Sequence, residues 1–344
     1  MYADLIPSKH IKINDENYLY FGGTSYLGIH ANPKFGKLVM EGFNRYGTNY
    51  GASRLGVSIP VFDQMETKLA DWIEASSCVL VSSGTLAGRL MLEVLGDEYR
   101  YHYATNAHVA IKPGYSKHQP HLFSCSIEDS LDLIHLSEGD KHVITFNSID
   151  ALTATIPDFG WISRLPKDKE IVLIIDDSHG IGVLGTLGKG MYEEIKKLHP
   201  NTIMIASLGK AMGLPAGVIA GPVQYTSLVR RHPLFGGSSP MVPAYADAYL
   251  EAEELYSTAY QKLISNIERL IANLKGIEIF THVDGFPVFC TDRHELASYL
   301  ELNKIKISHF AYPSPTDRLY TRIVLSALHS TDDLDRLTDL IKKF

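Results

Sequence analysis

The sequence is poor in cysteine and tryptophan: its 344 residues hold three of the first and two of the second. Cys78, Cys125 and Cys290 lie far apart and match no zinc or disulfide spacing. A metal finger and a disulfide-stapled secreted domain are therefore excluded, and reduced, mostly buried thiols in a cytosolic protein are expected. An excess of basic charge is also missing. The net charge of -7 leaves no electrostatic case for nucleic acid or an anionic membrane as partner. No apolar run reaches the roughly 18 residues of a membrane span. The opening "MYADLIPSKHIKIN" lacks the apolar core of a secretory signal. A soluble, cytoplasmic protein is the expectation. There is no internal repeat and no low-complexity segment. The remainder is ordinary globular composition, 45% hydrophobic and 21% charged, enough for a large core and two domains.

Short runs rich in β-branched residues recur at 78–83, 121–126, 142–149, 171–177, 202–207 and 216–221. They are apolar on both faces, which suits a sheet covered by helices on both sides. Residues 60–75 and 84–96 place apolar side chains at i, i+3, i+4 and i+7, so strands alternate with helices and a mainly parallel α/β sheet is predicted. Beyond about residue 240 the pattern changes. Residues 243–274 read as one long helix, with a break expected near Tyr256, followed by strand-like pieces "IEIFTHV", "PVFCTD" and "TRIVLSAL" with helices between them. This predicts an N-terminal segment (1–30) near a small domain, a large domain (31–240) and a small α+β domain (241–344). The first thirty residues read as a hairpin-like strand pair and a turn.

In an open parallel sheet, ligands sit at the carboxyl ends of strands. Three strand ends here carry unusual residues. In "VSSGTLAG" a strand runs into Gly84, Thr85 and a helix, whose free N–H groups can cradle an anion. A plain strand–turn–helix junction would look the same. In "IVLIIDDSHGIG" a buried run meets Asp176, Asp177 and His179. The pair Asp176 and His179 could bind a metal, though no third ligand is nearby, or Asp176 could hold a protonated ring nitrogen. Asp177 reads as part of a solvated acidic loop. In "TIMIASLGKAMGLPAG", Lys210 sits among small residues with no acid nearby. Either it is a surface lysine, or burial lowers its pKa and makes it an amine nucleophile toward an aldehyde. An anion cradle, an acid at a strand end and a lysine on an aldehyde are together what pyridoxal phosphate requires.

The segments "YGTNYGASRLGVSIPVFDQMETKLADW", "DDSHGIGVLGTLGKG" and "ASLGKAMGLPAG" resemble the α-oxoamine synthases, a family of fold-type I pyridoxal phosphate enzymes. The resemblance runs from about residue 18 to the C-terminus. It implies a fold-type I transferase: a mainly parallel sheet with helices on both faces, plus a smaller α+β C-terminal domain. It implies pyridoxal 5'-phosphate as cofactor, with Lys210 bound to its aldehyde, Asp176 on its ring nitrogen and His179 on its ring hydroxyl. By the same resemblance His108 stacks on the ring, and Gly84, Thr85 and Ser207 contact the phosphate. Ser239, or its neighbour Ser238, corresponds to a hydroxyl lent across the interface of a homodimer. Arg322 matches the arginine that holds an amino acid's carboxylate, against the alternative of a surface arginine on an edge strand. The implied reaction joins an amino acid to an acyl thioester (acyl-CoA or acyl carrier) and releases an α-amino ketone, with Lys210 or His108 moving the α-proton. An aminotransferase or lyase on the same fold, or a non-catalytic cofactor-binding protein, is the alternative.

The chain departs from the family pattern at several points. Thr24 in "GGTSYLG" stands where the family has an asparagine near the substrate carboxylate. In "TFNSIDALTAT", Phe146 replaces an acid and Asp150 falls at the position of a serine beside the cofactor hydroxyl. The N-terminal arm of the family is expected to be missing. All these changes point to an altered substrate site around a retained cofactor frame, with Thr24 and Asp150 as substrate-facing residues.

Overall fold

The computed structural model describes residues 3, 8–112, 121–123, 131, 134–135 and 141–344; Cys125 and the latter half of the expected strand 121–126 lie outside them. The chain opens on an antiparallel pair, β1 (His10–Ile13) and β2 (Glu16–Phe21), as expected. Helix α1 (Pro33–Tyr46) starts where Asn32 caps it, accepting the Lys34 and Phe35 N–H groups at 2.9 and 3.3 Å, with Pro33 in the first turn. The two amphipathic patterns become α2 (Pro60–Ile73) and α3 (Gly84–Leu95), flanking β3 (Ser77–Val81). Then come β4 (Arg100–Ala104), β5 (His121–Phe123), β6 (Lys141–Asn147), β7 (Glu170–Asp176), α4 (Tyr192–Leu198), β8 (Thr202–Ser207) and β9 (Gly217–Gly221).

Seven of these strands form one sheet in the order β3-β9-β8-β7-β6-β4-β5. The strands from β5 to β8 run parallel, whereas β9 is antiparallel to both β8 and β3. A parallel return needs a crossover of about a dozen residues or more. The link over residues 208–216 is too short for that, so β9 turns back on β8. The five residues Ile171–Ile175 are all at most 1% exposed, the signature of a strand covered on both faces.

The segment after the sheet holds α5 (Val223–Arg231), α6 (Pro233–Gly237), α7 (Pro243–Leu250) and α8 (Glu253–Asn273). The expected break near Tyr256 falls instead at Glu251–Ala252. Tyr256 lies within α8, and its hydroxyl donates to the Met212 carbonyl at 2.7 Å. The earlier break lets α7 pack on α1 and α2 while α8 runs on to the C-terminal helix. Strands β10 (Thr281–His282), β11 (Val288–Thr291), β12 (Ile305–Ala311) and β13 (Leu319–Val324) join β1 and β2 in a second sheet, ordered β1-β2-β12-β13-β11-β10. Helices α9 (Glu295–Leu302) and α10 (Thr331–Ile341) accompany it. Of "IEIFTHV" only Thr281 and His282 pair, and β12 was not foreseen from its weak alternation. This second sheet places β13, and Arg322 on it, in its interior rather than at an edge.

Candidate active site

The carboxyl ends of β6, β7 and β8 converge with β12 and β13 on a cavity of about 640 Å³. Thr24, His108, Asp150, Asp176, His179, Lys210 and Arg322 all line it. Residues separated by as much as 298 positions in the chain, Thr24 and Arg322, thus share one space.

Asp176 ends β7 in register with Asn147 at the end of β6. One carboxylate oxygen, Oδ1, accepts the Ser178 N–H at 3.0 Å; the other, Oδ2, lies 3.8 Å from His108 Nδ1. His108 is held by its own backbone N–H, which donates to Asn147 Oδ1 at 3.1 Å, while Asn147 Nδ2 donates to the Asn106 carbonyl at 2.7 Å. Burial lowers the His108 pKa, against the opposing pull of Asp176, so its ring is neutral and can lie flat on an aromatic cofactor. His179 Nε2 is 2.7 Å from Lys210 Nζ, and its Nδ1 is 2.8 Å from the Tyr26 hydroxyl. Burial, with the nearby Lys210, Arg322 and His108, holds the His179 pKa well below its usual value. Lys210 is itself pushed down to about 8, chiefly by burial, with Asp176 opposing and Arg322 adding. Its ammonium form is therefore easily surrendered near neutral pH, as an amine nucleophile requires.

Arg322 is 6% exposed. Its Nη1 donates to the Ala151 carbonyl at 2.5 Å, its guanidinium lies over the Phe310 ring at 5.0 Å, and its Nε is buried without a partner among the described residues. A buried guanidinium with unused donors facing a cavity is a natural seat for a carboxylate. Asp150 is committed differently. Its Oδ1 accepts the Leu152 and Thr153 N–H groups at 2.9 and 3.4 Å, and its Oδ2 accepts from Asn106 Nδ2 at 3.2 Å. It shapes the turn that presents the Ala151 carbonyl to Arg322.

Gly84 and Ser207 meet at the start of α3. A Cβ on Gly84 would lie 2.7 Å from Ser207 Cβ, so only glycine lets the helix N-terminus approach the end of β8 this closely. Ser83 caps the helix, accepting the Leu86 N–H at 3.1 Å, and the Ser207 N–H donates to Ser178 Oγ at 2.8 Å. Gly84, Thr85 and Ser207 do not line the 640 Å³ cavity; the first two open α3 and Ser207 ends β8. Ser238 caps α6 and is followed by Ser239, and neither lines the cavity within the single chain.

Asp177 corrects one expectation. It is fully buried, not solvated, and its Oδ2 accepts the Met191 N–H at 2.8 Å. A Cβ on Gly180 or Gly190 would come within 1.9 or 2.0 Å of its carboxylate oxygens, so the glycines close the loop around it. Burial raises its pKa to about 7, partly offset by the Ser148 hydroxyl and the Met191 N–H. Phe146 points away from the cavity into the core, 5.7 Å from Phe159 and 5.5 Å from Trp161. Its neighbours on the strand and beyond, Asn147 and Ile149, face the cavity. Tyr26 and Asn147 are not among the residues that the sequence motifs single out. The first stands two residues after Thr24 in the same turn, and a hydroxyl beside a flagged residue was the available signal.

No group of three or more metal-ligand side chains occurs among the described residues. The set does fit pyridoxal phosphate. A carboxylate oxygen, an imidazole 3.8 Å from it, a buried lysine of lowered pKa and a buried guanidinium whose Nε is without a partner among the described residues face one cavity.

The family profile described as aminotransferase class I and II matches residues 51–341. The chain is 26% identical to an 8-amino-7-oxononanoate synthase of Aliivibrio fischeri, over 96% of this chain and 90% of that protein. It is 28% identical to one of Petrotoga mobilis, over 94% and 88%. Among solved structures, a serine palmitoyltransferase of Sphingomonas wittichii superposes with a TM-score of 0.85 at 17% identity, covering 99% of this chain and 91% of that one. An 8-amino-7-oxononanoate synthase of Francisella tularensis gives 0.72 at 20% identity, covering 95% and 97%. These neighbours carry the fold expected from the sequence. The chain belongs to the aminotransferase class I and II family and is a pyridoxal phosphate-dependent enzyme, with the resemblance to the α-oxoamine synthases borne out over nearly its whole length.

Proposed function

We propose that this enzyme is a C-acyltransferase that joins the α-carbon of an amino acid to the acyl group of a thioester, on CoA or a carrier protein, and releases an α-amino ketone, with the free thiol and carbon dioxide as the groups that leave. The observation that carries the reading is the meeting of Asp176, His179, Lys210 and Arg322 on one cavity, in a chain whose relatives are named as synthases of that type. Pyridoxal phosphate, when bound, supplies an electron sink for a carbanion at the amino acid's α-carbon. Asp176 would keep the ring nitrogen protonated, and His108 would cover the ring face. Arg322 orients the amino acid by its carboxylate, which places the α-proton toward Lys210. Lys210, with a pKa near 8, can both take that proton and return it. Gly84, Thr85 and Ser207 would hold the phosphate. Thr24 and Asp150 line the same cavity and would face the substrate.

We further infer a cytoplasmic homodimer in which Ser238 or Ser239 of one subunit completes the other's phosphate site. The division into an N-terminal segment (1–30), a large domain (31–240) and a small domain (241–344) belongs to the same reading. No helix among the described residues is long and apolar enough to cross a membrane.

The test is release of free thiol from an acyl-CoA series in the presence of glycine, alanine or serine, with the α-amino ketone identified by mass. Amino-acid-dependent thiol release supports the proposal. Conversion of the amino acid to its keto acid with no thiol released would replace it with the aminotransferase alternative.

A further inference from the structure

Tyr26, His179 and Lys210 form a linear chain of three side chains from three loops. The Tyr26 hydroxyl is 2.8 Å from His179 Nδ1, and His179 Nε2 is 2.7 Å from Lys210 Nζ. Tyr26 is 1% exposed, and Nδ1 of His179 is the one hydrogen-bond partner of its hydroxyl among the described residues. Two proton arrangements are conceivable. If Nδ1–H donated to the tyrosine oxygen, the phenolic proton would be left buried and unpaired. If the phenol donates to Nδ1, every proton has an acceptor. An unpaired buried donor loses its full hydration, so the second arrangement is favoured. The neutral ring then carries its proton on Nε2, pointing at Lys210. An ammonium group has only donors and cannot receive that proton, whereas a neutral amine can.

We propose that Tyr26 is a positioning residue that fixes His179 in its Nε2–H form and so selects the neutral amine of Lys210. The tautomer is a property of the protein alone; its consequence rests on the reading of Lys210 as the aldehyde-binding lysine. The groups around the chain are consistent with it. Burial raises the Tyr26 pKa, with Arg322 opposing and Cys290 adding, so the phenol keeps its proton. Lys210, Arg322 and His108 face His179 and, with burial, keep it neutral. Asp176 and Arg322 are the charges acting on Lys210, in opposite directions. Without the phenol, His179 is free to accept from an ammonium, and the lysine pKa rises.

Two measurements test this. In apoprotein labelled with ¹⁵N-histidine, the His179 signals, assigned with His179→Gln, are expected to show the proton on Nε2 near neutral pH. A proton on Nδ1 in the wild type overturns the proposal, with no variant needed. The second is the pH profile of pyridoxal phosphate trapping on Lys210 by borohydride, followed by peptide mass. A rise of about one pKa unit in Tyr26→Phe slows trapping roughly tenfold near neutral pH and leaves it unchanged near about pH 10, where the amine is neutral in both proteins. Equal slowing at every pH would mark a structural role and overturn the proposal. If Lys210→Ala is labelled as fully as wild type, the reading of Lys210 fails, while the nitrogen signals still decide the role of Tyr26.

Discussion

Replacing Asp177 with asparagine isolates the cost of one buried carboxylate. The side chain is fully enclosed, one oxygen accepts the Met191 N–H, and the other lies beside the Ser148 hydroxyl. Asparagine has nearly the same shape, can accept from Met191, and can donate its amide to Ser148. In the folded protein the Asp177 pKa is raised to about 7, from an ordinary carboxyl value of 3.8. The direction decides the sign. Between these values the folded state holds a proton that the unfolded state has released, so stability declines as pH rises and levels off above about 7. Three units correspond to on the order of 4 kcal/mol, of which roughly 3 kcal/mol falls between about pH 5 and about pH 8.5. The assay is urea unfolding of wild type and Asp177→Asn at both pH values, because the difference between the two gaps cancels any fixed packing cost of the variant. The asparagine protein should gain about 2–3 kcal/mol on wild type in going from the lower to the higher pH. A gap that does not change with pH, or that changes in wild type's favour, would refute the reasoning.

Other perturbations follow from the same contacts. Arg322→Lys keeps the charge but loses the planar donors over Phe310, so kcat/KM for the amino acid should fall about 10- to 100-fold, read from initial rates over an amino-acid series. Phe146→Glu restores the family's acid but buries it between Phe159 and Trp161. Chemical unfolding should show a loss of about 3 kcal/mol or more, with no gain of activity. Gly190→Ala would drive a Cβ to 2.0 Å from the Asp177 carboxylate at a φ of 85°, and its thermal midpoint should drop sharply while Gly36→Ala, with open space around it and no positive φ, loses far less.

Apart from β4 (Arg100–Ala104), whose run is interrupted by polar His102 and was not predicted, the large sheet was legible because its strands are covered on both faces and read as unbroken apolar runs, as in Ile171–Ile175. Strand β12 was not, because only Ile305 and Ile307 are buried and the rest of it is partly exposed. The reversed direction of β9 was implicit in the shortness of residues 208–216, a constraint on chain reach that hydropathy does not express. In the site, Asp176 and Lys210 stood out as charges attached to apolar segments. Asp177 looked like a second surface acid, since its burial depends on Gly180 and Gly190 folding back over it from outside the strand. The role of Phe146 was hidden for a related reason. Whether a substituted side chain faces the cavity or the core is fixed by the pleat of β6, which puts Asn147 in the cavity and Phe146 behind it.

In the proposed function, Lys210 is the residue on which this enzyme's chemistry turns. Titrating wild type and Lys210→Ala with pyridoxal phosphate, then reducing with borohydride and mapping the labelled peptide, tests it directly. Wild type should develop a visible absorbance band and carry the label on Lys210, while the alanine protein should show neither. A band and a label of equal yield in Lys210→Ala, or a label placed elsewhere in wild type, would contradict the account.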